Sequence, residues 1–145
     1  MNKSTAYTFP IVHRWHLVDA KSQPFGRLAS RVAGLLQGKD KPTYSPQVDC
    51  GDFVILINTK YLKLSHPSKW DSKIYYHYSG YPGGIKDISI REAVDKNPNQ
   101  ILRKAIYNML PKNKLRTPRI NRLKLFTQAK EGKELYEAMR KKSKK

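Results

Sequence analysis

The sequence is poor in features that would place it in several common classes of protein. Its only cysteine is Cys50 in 145 residues, which excludes an intrachain disulfide and a zinc site made from several cysteines. No apolar run approaches the roughly 20 residues that cross a bilayer as a helix. Acidic residues are scarce, 11 against 29 Lys and Arg. The sequence therefore predicts a cationic chain without membrane insertion.

The charge balance points to a polyanionic partner. The formal net charge is +18, and the segment from Lys96 to Lys130 holds basic residues and no acidic one. Self-repulsion on this scale destabilises a compact monomer. Nucleic acid relieves it by replacing small counterions around the phosphates. A basic protein that docks on anionic membrane is an alternative, because the C-terminal segment offers a weak amphipathic helix.

The hydrophobic pattern predicts an α/β fold. Apolar or alternating runs predict strands at 15–20, 52–58, 61–65, 73–80 and 123–126. Helical spacing predicts helices at 27–37, 89–97 and 101–110, and another from Lys130. Alternation of the two types favours a single compact domain with a central, mostly parallel sheet flanked by helices, plus a basic loop and a C-terminal tail. We expect an extension over 1–14, a core domain over 15–128 and a basic helical tail over 129–145.

The stretch from Gly34 to Asp52 invites two enzymatic interpretations. Gly34, Gly38 and Lys39 resemble a phosphate-binding loop, but the glycines have three residues between them instead of four, and Asp40 replaces the hydroxyl residue. Gly38 instead has the position of a helix C-terminal cap. Asp49 and Asp52 could hold a metal in a nucleic-acid-processing enzyme, which is the alternative function. Two carboxylates usually need a third ligand, so we favour a structural role and predict no catalytic residue, metal, cofactor or small-molecule substrate.

Two segments have the composition of an RNA-binding surface. The first runs from Pro111 to Lys124, where prolines restrict the backbone and so lower the entropic cost of presenting cations to phosphates. The second is "IYYHYSGYPGGIK" from Ile74. Alternation along a strand places Tyr75 and His77 on one face and Tyr76 and Tyr78 on the other. One pair is expected in the core, and the other could stack on unpaired bases.

Four stretches in this order resemble the family of large-subunit ribosomal protein thirteen: "WHLVDA…GRLAS", "GKDKPTYSPQVDCGDFVILIN", "KIYYHYSGYPGGIK" and "NMLPKNKLRTPRINRLKLF". The resemblance implies a non-enzymatic protein that binds large-subunit rRNA beside neighbouring ribosomal proteins. The family's second basic motif matches Met109 to Arg116, and its first matches Gly38, Lys39, Lys41, Pro42, Tyr44 and Pro46. The predicted RNA-binding residues are Arg27, Arg31, Lys39, Lys41, Tyr44, His77, Tyr78, Lys86, Lys112, Lys114, Arg116, Arg119, Arg122 and Lys124.

The sequence departs from the bacterial members at two places. "TQAKEGKELYEAMRKKSKK" follows the last strand where they have a segment rich in histidine and glutamine, and "HPSKWDSK" replaces a turn that contains glycine. "DCGD" and "PKNKLR" resemble mitochondrial members more closely. We therefore predict a mitochondrial ribosome in the matrix, with the bacterial cytoplasm as the alternative.

Overall fold

The computed structural model describes residues 11–142, so most of the predicted N-terminal extension lies outside the described residues. The strands are β1 (Trp15–Asp19), β2 (Phe53–Ile57), β3 (Ile74–Tyr78), β4 (Ile85–Ser89) and β5 (Leu123–Leu125). The helices are α1 (Phe25–Gln37), α2 (Lys69–Ser72), α3 (Ile90–Lys96), α4 (Pro98–Met109), α5 (Arg116–Asn121) and α6 (Ala129–Lys142), with a 3-10 turn at Thr59–Tyr61.

A parallel three-stranded sheet forms the centre of the molecule, in the order β1-β2-β5. The central strand β2 contributes Val54 and Leu56 to the main core together with residues of α1 and α4. Its other face meets α6, where Ile55 and Ile57 lie against Gly132. Both faces of β2 are therefore covered, which explains its unbroken apolar sequence. The predicted α/β fold with a mostly parallel sheet is confirmed.

Helix α1 follows from its sequence pattern and its cap. Leu28, Val32 and Leu36 recur at helical spacing and are fully buried. Gly38 adopts the left-handed conformation with φ +76°, and its N–H bonds to the carbonyls of Gly34 and Leu35. A side chain at Gly38 would lie 2.6 Å from the carbonyl oxygen of Cys50. The helix therefore ends where the sequence predicted, and the following loop crosses close to its end.

The starts of α3 and α4 are fixed by side-chain caps. Ser89 accepts a hydrogen bond from the Glu92 N–H at 3.3 Å, as its position before the helix predicted. Asn97 accepts one from the Gln100 N–H at 3.2 Å, and Pro98 occupies the first turn of α4. Helix α4 packs along α1, and the chain leaves its C-terminal end after Met109.

The strand predicted over 61–65 is wrong. Asn58 takes the left-handed conformation with φ 61° and turns the chain directly after β2 into the 3-10 turn. Only an isolated bridge between Lys63 and Pro24 has strand pairing. The alternating pattern instead places Leu62 in the core with Leu64 packed against it. Strand β4 was not predicted; it pairs antiparallel with β3 in a separate hairpin.

Candidate nucleic-acid interface

Exposed cations gather on the α1 side of the molecule. Arg27 and Arg31 occupy one exposed row of α1. Ser30 between them donates a hydrogen bond to the Gly26 carbonyl at 3.1 Å, and its Oγ atom lies 3.6 Å from the Met109 sulfur. This contact holds α1 beside the end of α4, where the 111–115 segment begins. We call this surface the basic face, and its residues are Arg27, Arg31, Lys39, Tyr44, Lys112 and Lys114.

The loop residues of the basic face converge on one cavity. Lys39 and Tyr44, from the loop after α1, line it together with Asn113. Lys112 and Lys114 flank Asn113 in the chain and are exposed. Two segments distant in sequence therefore present their cations at one place.

The 111–115 segment is held in a compact turn. Leu110 is buried and anchors its start. The Asn113 N–H bonds to the Pro111 carbonyl at 2.9 Å, and the Arg116 N–H bonds to the Asn113 carbonyl at 3.1 Å. Arg116 also donates to the Tyr107 carbonyl and lies 3.6 Å from the centre of that ring. Arg116 therefore braces the segment from the end of α4.

Arg119 and Arg122 point inward to Asp49. Arg122 donates to the Asp49 carboxylate, with one contact at 3.1 Å, and to the Gly51 carbonyl at 2.9 Å. The Arg119 side chain is only 1% exposed, and its Nε lies 3.5 Å from an Asp49 oxygen. These arginines attach α5 to the 38–52 loop. Sequence reasoning had assigned both to the RNA surface, since nothing in the sequence paired them with Asp49.

Lys41 has a similar internal role. Its ammonium donates to the carbonyls of Val12 at 2.7 Å and Cys50 at 2.8 Å, and it forms an ion pair with Asp52. An ammonium has three hydrogens to donate, and these contacts occupy all of them. Lys41 therefore ties the loop to the strand entrance and has no donor left for a phosphate in this conformation.

Asp52 is the acceptor at the centre of this network. Burial would raise the pKa of its carboxyl group, but hydrogen bonds from the Arg14 N–H, Lys41 and His16 outweigh burial and lower that pKa. The Arg14 N–H lies 2.9 Å and the His16 Nε2 2.8 Å from the carboxylate. Asp52 is therefore held as an anion that organises the loop.

The remaining predicted residues lie elsewhere. His77 and Lys86 are cross-strand partners on the β3–β4 hairpin, whose strand β4 packs on α2 and α3. Tyr78 is exposed on the outer face of this hairpin with Tyr76 and Ile85. Tyr75 faces α3 and α4 instead, and burial raises its pKa. Lys124 is exposed on β5 beside a cavity that Arg103 also lines.

The two carboxylates required by the enzyme alternative are both engaged by cations of the chain. Asp49 is bound by arginines and Asp52 by Lys41. Within residues 11–142, no group of three or more His, Cys, Asp or Glu side chains is arranged to hold a metal ion. In that same part of the chain, every helix is too short or too polar to cross a membrane.

Comparison with known proteins identifies the relatives of this chain. A family model described as ribosomal protein L13 matches residues 13–132. Large ribosomal subunit protein uL13 of Thermosipho africanus is 47% identical over 112 residues, covering 77% of this chain and 74% of that protein. The proteins of the same name from Clostridioides difficile and Kocuria rhizophila are 45% and 48% identical over 119 residues. They cover 82% of this chain, and 82% and 80% of their own lengths.

The predicted mitochondrial location is wrong, because these relatives are bacterial proteins. The prediction rested on "DCGD" and "PKNKLR". In the structure, Asp49 and Asp52 of the first segment bind cations of the chain itself. Asn113 of the second shapes a local turn. Local contacts within the fold therefore account for these residues.

Proposed function

The chain belongs to the ribosomal protein L13 family, and from this membership we propose that it is a structural constituent of the large ribosomal subunit. In this proposal it binds and stabilises large-subunit rRNA during subunit assembly and translation, beside neighbouring ribosomal proteins. The relatives that match across the core of the chain carry the name of a large-subunit protein. The function is binding, without a chemical step.

The observation that carries the proposal is the basic face. Five exposed cations lie on α1, in the loop after it and in the 111–115 segment, and these three segments meet at the Ser30–Met109 contact and around one cavity. Phosphate contacts of this kind release condensed counterions, and they fix the orientation of a protein on RNA without reading its sequence. We assign this contact to Arg27, Arg31, Lys39, Lys112 and Lys114.

The internal cations support the same contact indirectly. Lys41 and Arg122 tie the 38–52 loop to the start of β2 and to the end of α5. The exposed lysines next to them in sequence are therefore presented from a fixed backbone. Preorganisation lowers the entropic cost of binding, so these residues contribute to RNA affinity as positioning residues.

The β3–β4 hairpin provides a second contact of a different kind. Tyr76 and Tyr78 are 69% and 60% exposed on one face. Exposed aromatic rings stack on unpaired bases, and we assign Tyr78 to this contact. Lys86 and its cross-strand partner His77 are exposed on the opposite face of the hairpin, and we assign them to a phosphate contact there, separate from the basic face.

The proposal is tested by reversing charge on opposite sides of the sheet. In one variant Lys112 and Lys114 become Glu; in the control, Lys130 and Lys133 of α6 become Glu. All four lysines are exposed, and the two variants have the same net charge. The first should bind a large-subunit rRNA transcript more weakly, with the slope of log K against log salt reduced by about two.

The control should retain most of the affinity and slope. Equal weakening of both variants would mean that the net charge of the protein binds RNA without a defined surface. Unchanged binding of the Lys112 and Lys114 variant would remove the basic face from the contact.

A further inference from the structure

The basic face contains a cavity with a buried arginine in its wall. The cavity has a volume of about 360 Å³ and lies between the end of α1, the loop after it and the turn after α4. Its polar lining comprises Gln37, Lys39, Tyr44, Asn113 and Arg119. In the described part of the chain, the lining includes two cations and no carboxylate, so the chemistry of the cavity suits an anion.

The charges around Arg119 do not balance among the residues that the structure describes. Asp49 is one carboxylate shared by two guanidinium groups, and Arg122 takes both of its oxygens. The Nε and Nη2 atoms of Arg119 are buried and have no hydrogen-bond partner among residues 11–142. A buried cation without full pairing is costly. One net positive charge therefore remains beside the cavity.

We infer that this cavity binds one phosphate group of the RNA backbone, with Arg119 at its base and Lys39 at its rim. A guanidinium offers a planar pair of N–H donors that match two phosphate oxygens, and an ammonium adds a point charge. Tyr44 and Asn113, which also line the cavity, supply a hydroxyl and an amide as neutral donors. The inference rests on the proposed function and adds a specific phosphate site to it.

The surroundings favour a phosphate of RNA over a carboxylate of a neighbouring protein. Lys112 and Lys114 flank the cavity through Asn113, and the chain carries a net charge of +18. Such a concentration of positive charge attracts a polyanion with many phosphates more strongly than a single carboxylate. Arg119 therefore differs in role from the exposed cations. Arg119 binds one phosphate inside the cavity, whereas the exposed lysines lie where the RNA backbone reaches the cavity.

The test observes the Arg119 Nε–H signal of the full-length protein by NMR during titration with inorganic phosphate, at ionic strength held constant with chloride. The signal should shift and saturate. Lys39→Gln should weaken the apparent affinity by about tenfold, as expected for the loss of one charge-assisted hydrogen bond. The matched control is Lys60→Gln, which removes an exposed charge at the opposite end of α4 and should leave the titration unchanged.

Two further arms identify the source of the anion. Acetate at the same ionic strength should shift the signal less than phosphate does. In filter binding with a large-subunit rRNA transcript, Arg119→Lys should weaken binding, because lysine keeps the charge but lacks the planar donor pair. The Lys39→Gln variant tests the rim independently of any effect that Arg119→Lys has on folding.

An Arg119 signal that does not respond to phosphate would overturn the inference, as would an equal or larger response to acetate. A third outcome is that the Arg119→Lys and Lys39→Gln variants both bind rRNA normally while the Arg119 signal of the wild-type protein still responds to phosphate. That result would show that the cavity binds free phosphate and not RNA. Failure of the wild-type protein to bind rRNA would instead remove the proposed function, whatever the phosphate titration shows.

Discussion

At the scale of single residues, the basic side chains of this protein form two groups: some make contacts inside the fold, and others are exposed to solvent. Lys41 and Arg122 make several contacts inside the fold, whereas Lys39 and Lys112 are exposed. Sequence alone does not separate the groups, because all four lie in basic segments. The two groups differ in their contacts with Asp49 and Asp52. Folding brings Lys41 to Asp52 and Arg122 to Asp49.

Replacement of Asp52 by Asn should destabilise the protein by about 3 kcal/mol at pH 7, the lower end of the range for removing one partner of a buried ion pair. The folded pKa of Asp52 is lowered, below an unfolded value of about 3.9. Its stabilisation is therefore complete well above pH 4 and is lost as the pH falls through the folded pKa. Urea unfolding of both proteins across this range measures the difference.

The control for this experiment is Asp40→Asn, which removes the same charge from an exposed position in the same loop. It should change the free energy of unfolding by less than about 0.5 kcal/mol. A difference between wild type and Asp52→Asn that stayed constant down to pH 3 would contradict the assigned role of the ionised carboxylate.

At the scale of helices and strands, the segment expected as a C-terminal tail forms a layer of the fold. Helix α6 packs on β1 and β2, and Gly132 is its buried residue. A methyl group at Gly132 would lie 2.3 Å from the Cγ2 atom of Ile57. Because Ile57 is β-branched and lies in a strand, its side chain has little freedom to move. The close packing of α6 on the sheet therefore depends on the absence of a side chain at Gly132.

Gly132→Ala should therefore destabilise the protein by about 1–3 kcal/mol, since the helix must move away from the sheet. The same substitution at Gly34, in the middle of α1, meets no atom within 4 Å. It should stabilise the protein by up to about 1 kcal/mol through helix propensity. Thermal unfolding of the two variants compares them directly. Stabilisation by both would show that α6 does not pack closely on the sheet.

Local signals account for the elements that could be predicted. Gly38 ends α1, Ser89 caps α3 and the apolar run at Phe53–Ile57 is the central strand. Each depends on residues within a few positions of one another. The charge balance and the composition of two segments predicted an RNA-binding surface, and the resemblance to a known family added that the RNA is large-subunit rRNA.

Other features depend on contacts between distant segments and were missed. The 61–65 segment alternates like a strand, but Asn58 turns the chain into a 3-10 turn directly after β2. Arg122 and Asp49 are separated by 73 positions, so their pairing has no local pattern. The burial of Arg119 depends on this same pairing. Sequence therefore indicated which segments are basic, and the fold determines which of their cations face outward.

At the scale of the whole molecule, the net charge of +18 should make rRNA binding strongly dependent on salt. With about six phosphate contacts, log K should fall by roughly five for each tenfold increase in salt concentration. Filter binding over a range of potassium chloride concentrations gives this slope. A slope near zero would mean that binding depends on the hairpin aromatics and not on phosphate neutralisation.

The central claim is that this chain is a constituent of the large ribosomal subunit. Gradient sedimentation of a lysate from the source organism, followed by detection of the chain in each fraction, tests it most directly. We predict that the chain migrates with large subunits and intact ribosomes, and that ribonuclease treatment moves it to the top of the gradient. A chain that stays at the top without ribonuclease, or that migrates only with small subunits, would contradict the claim.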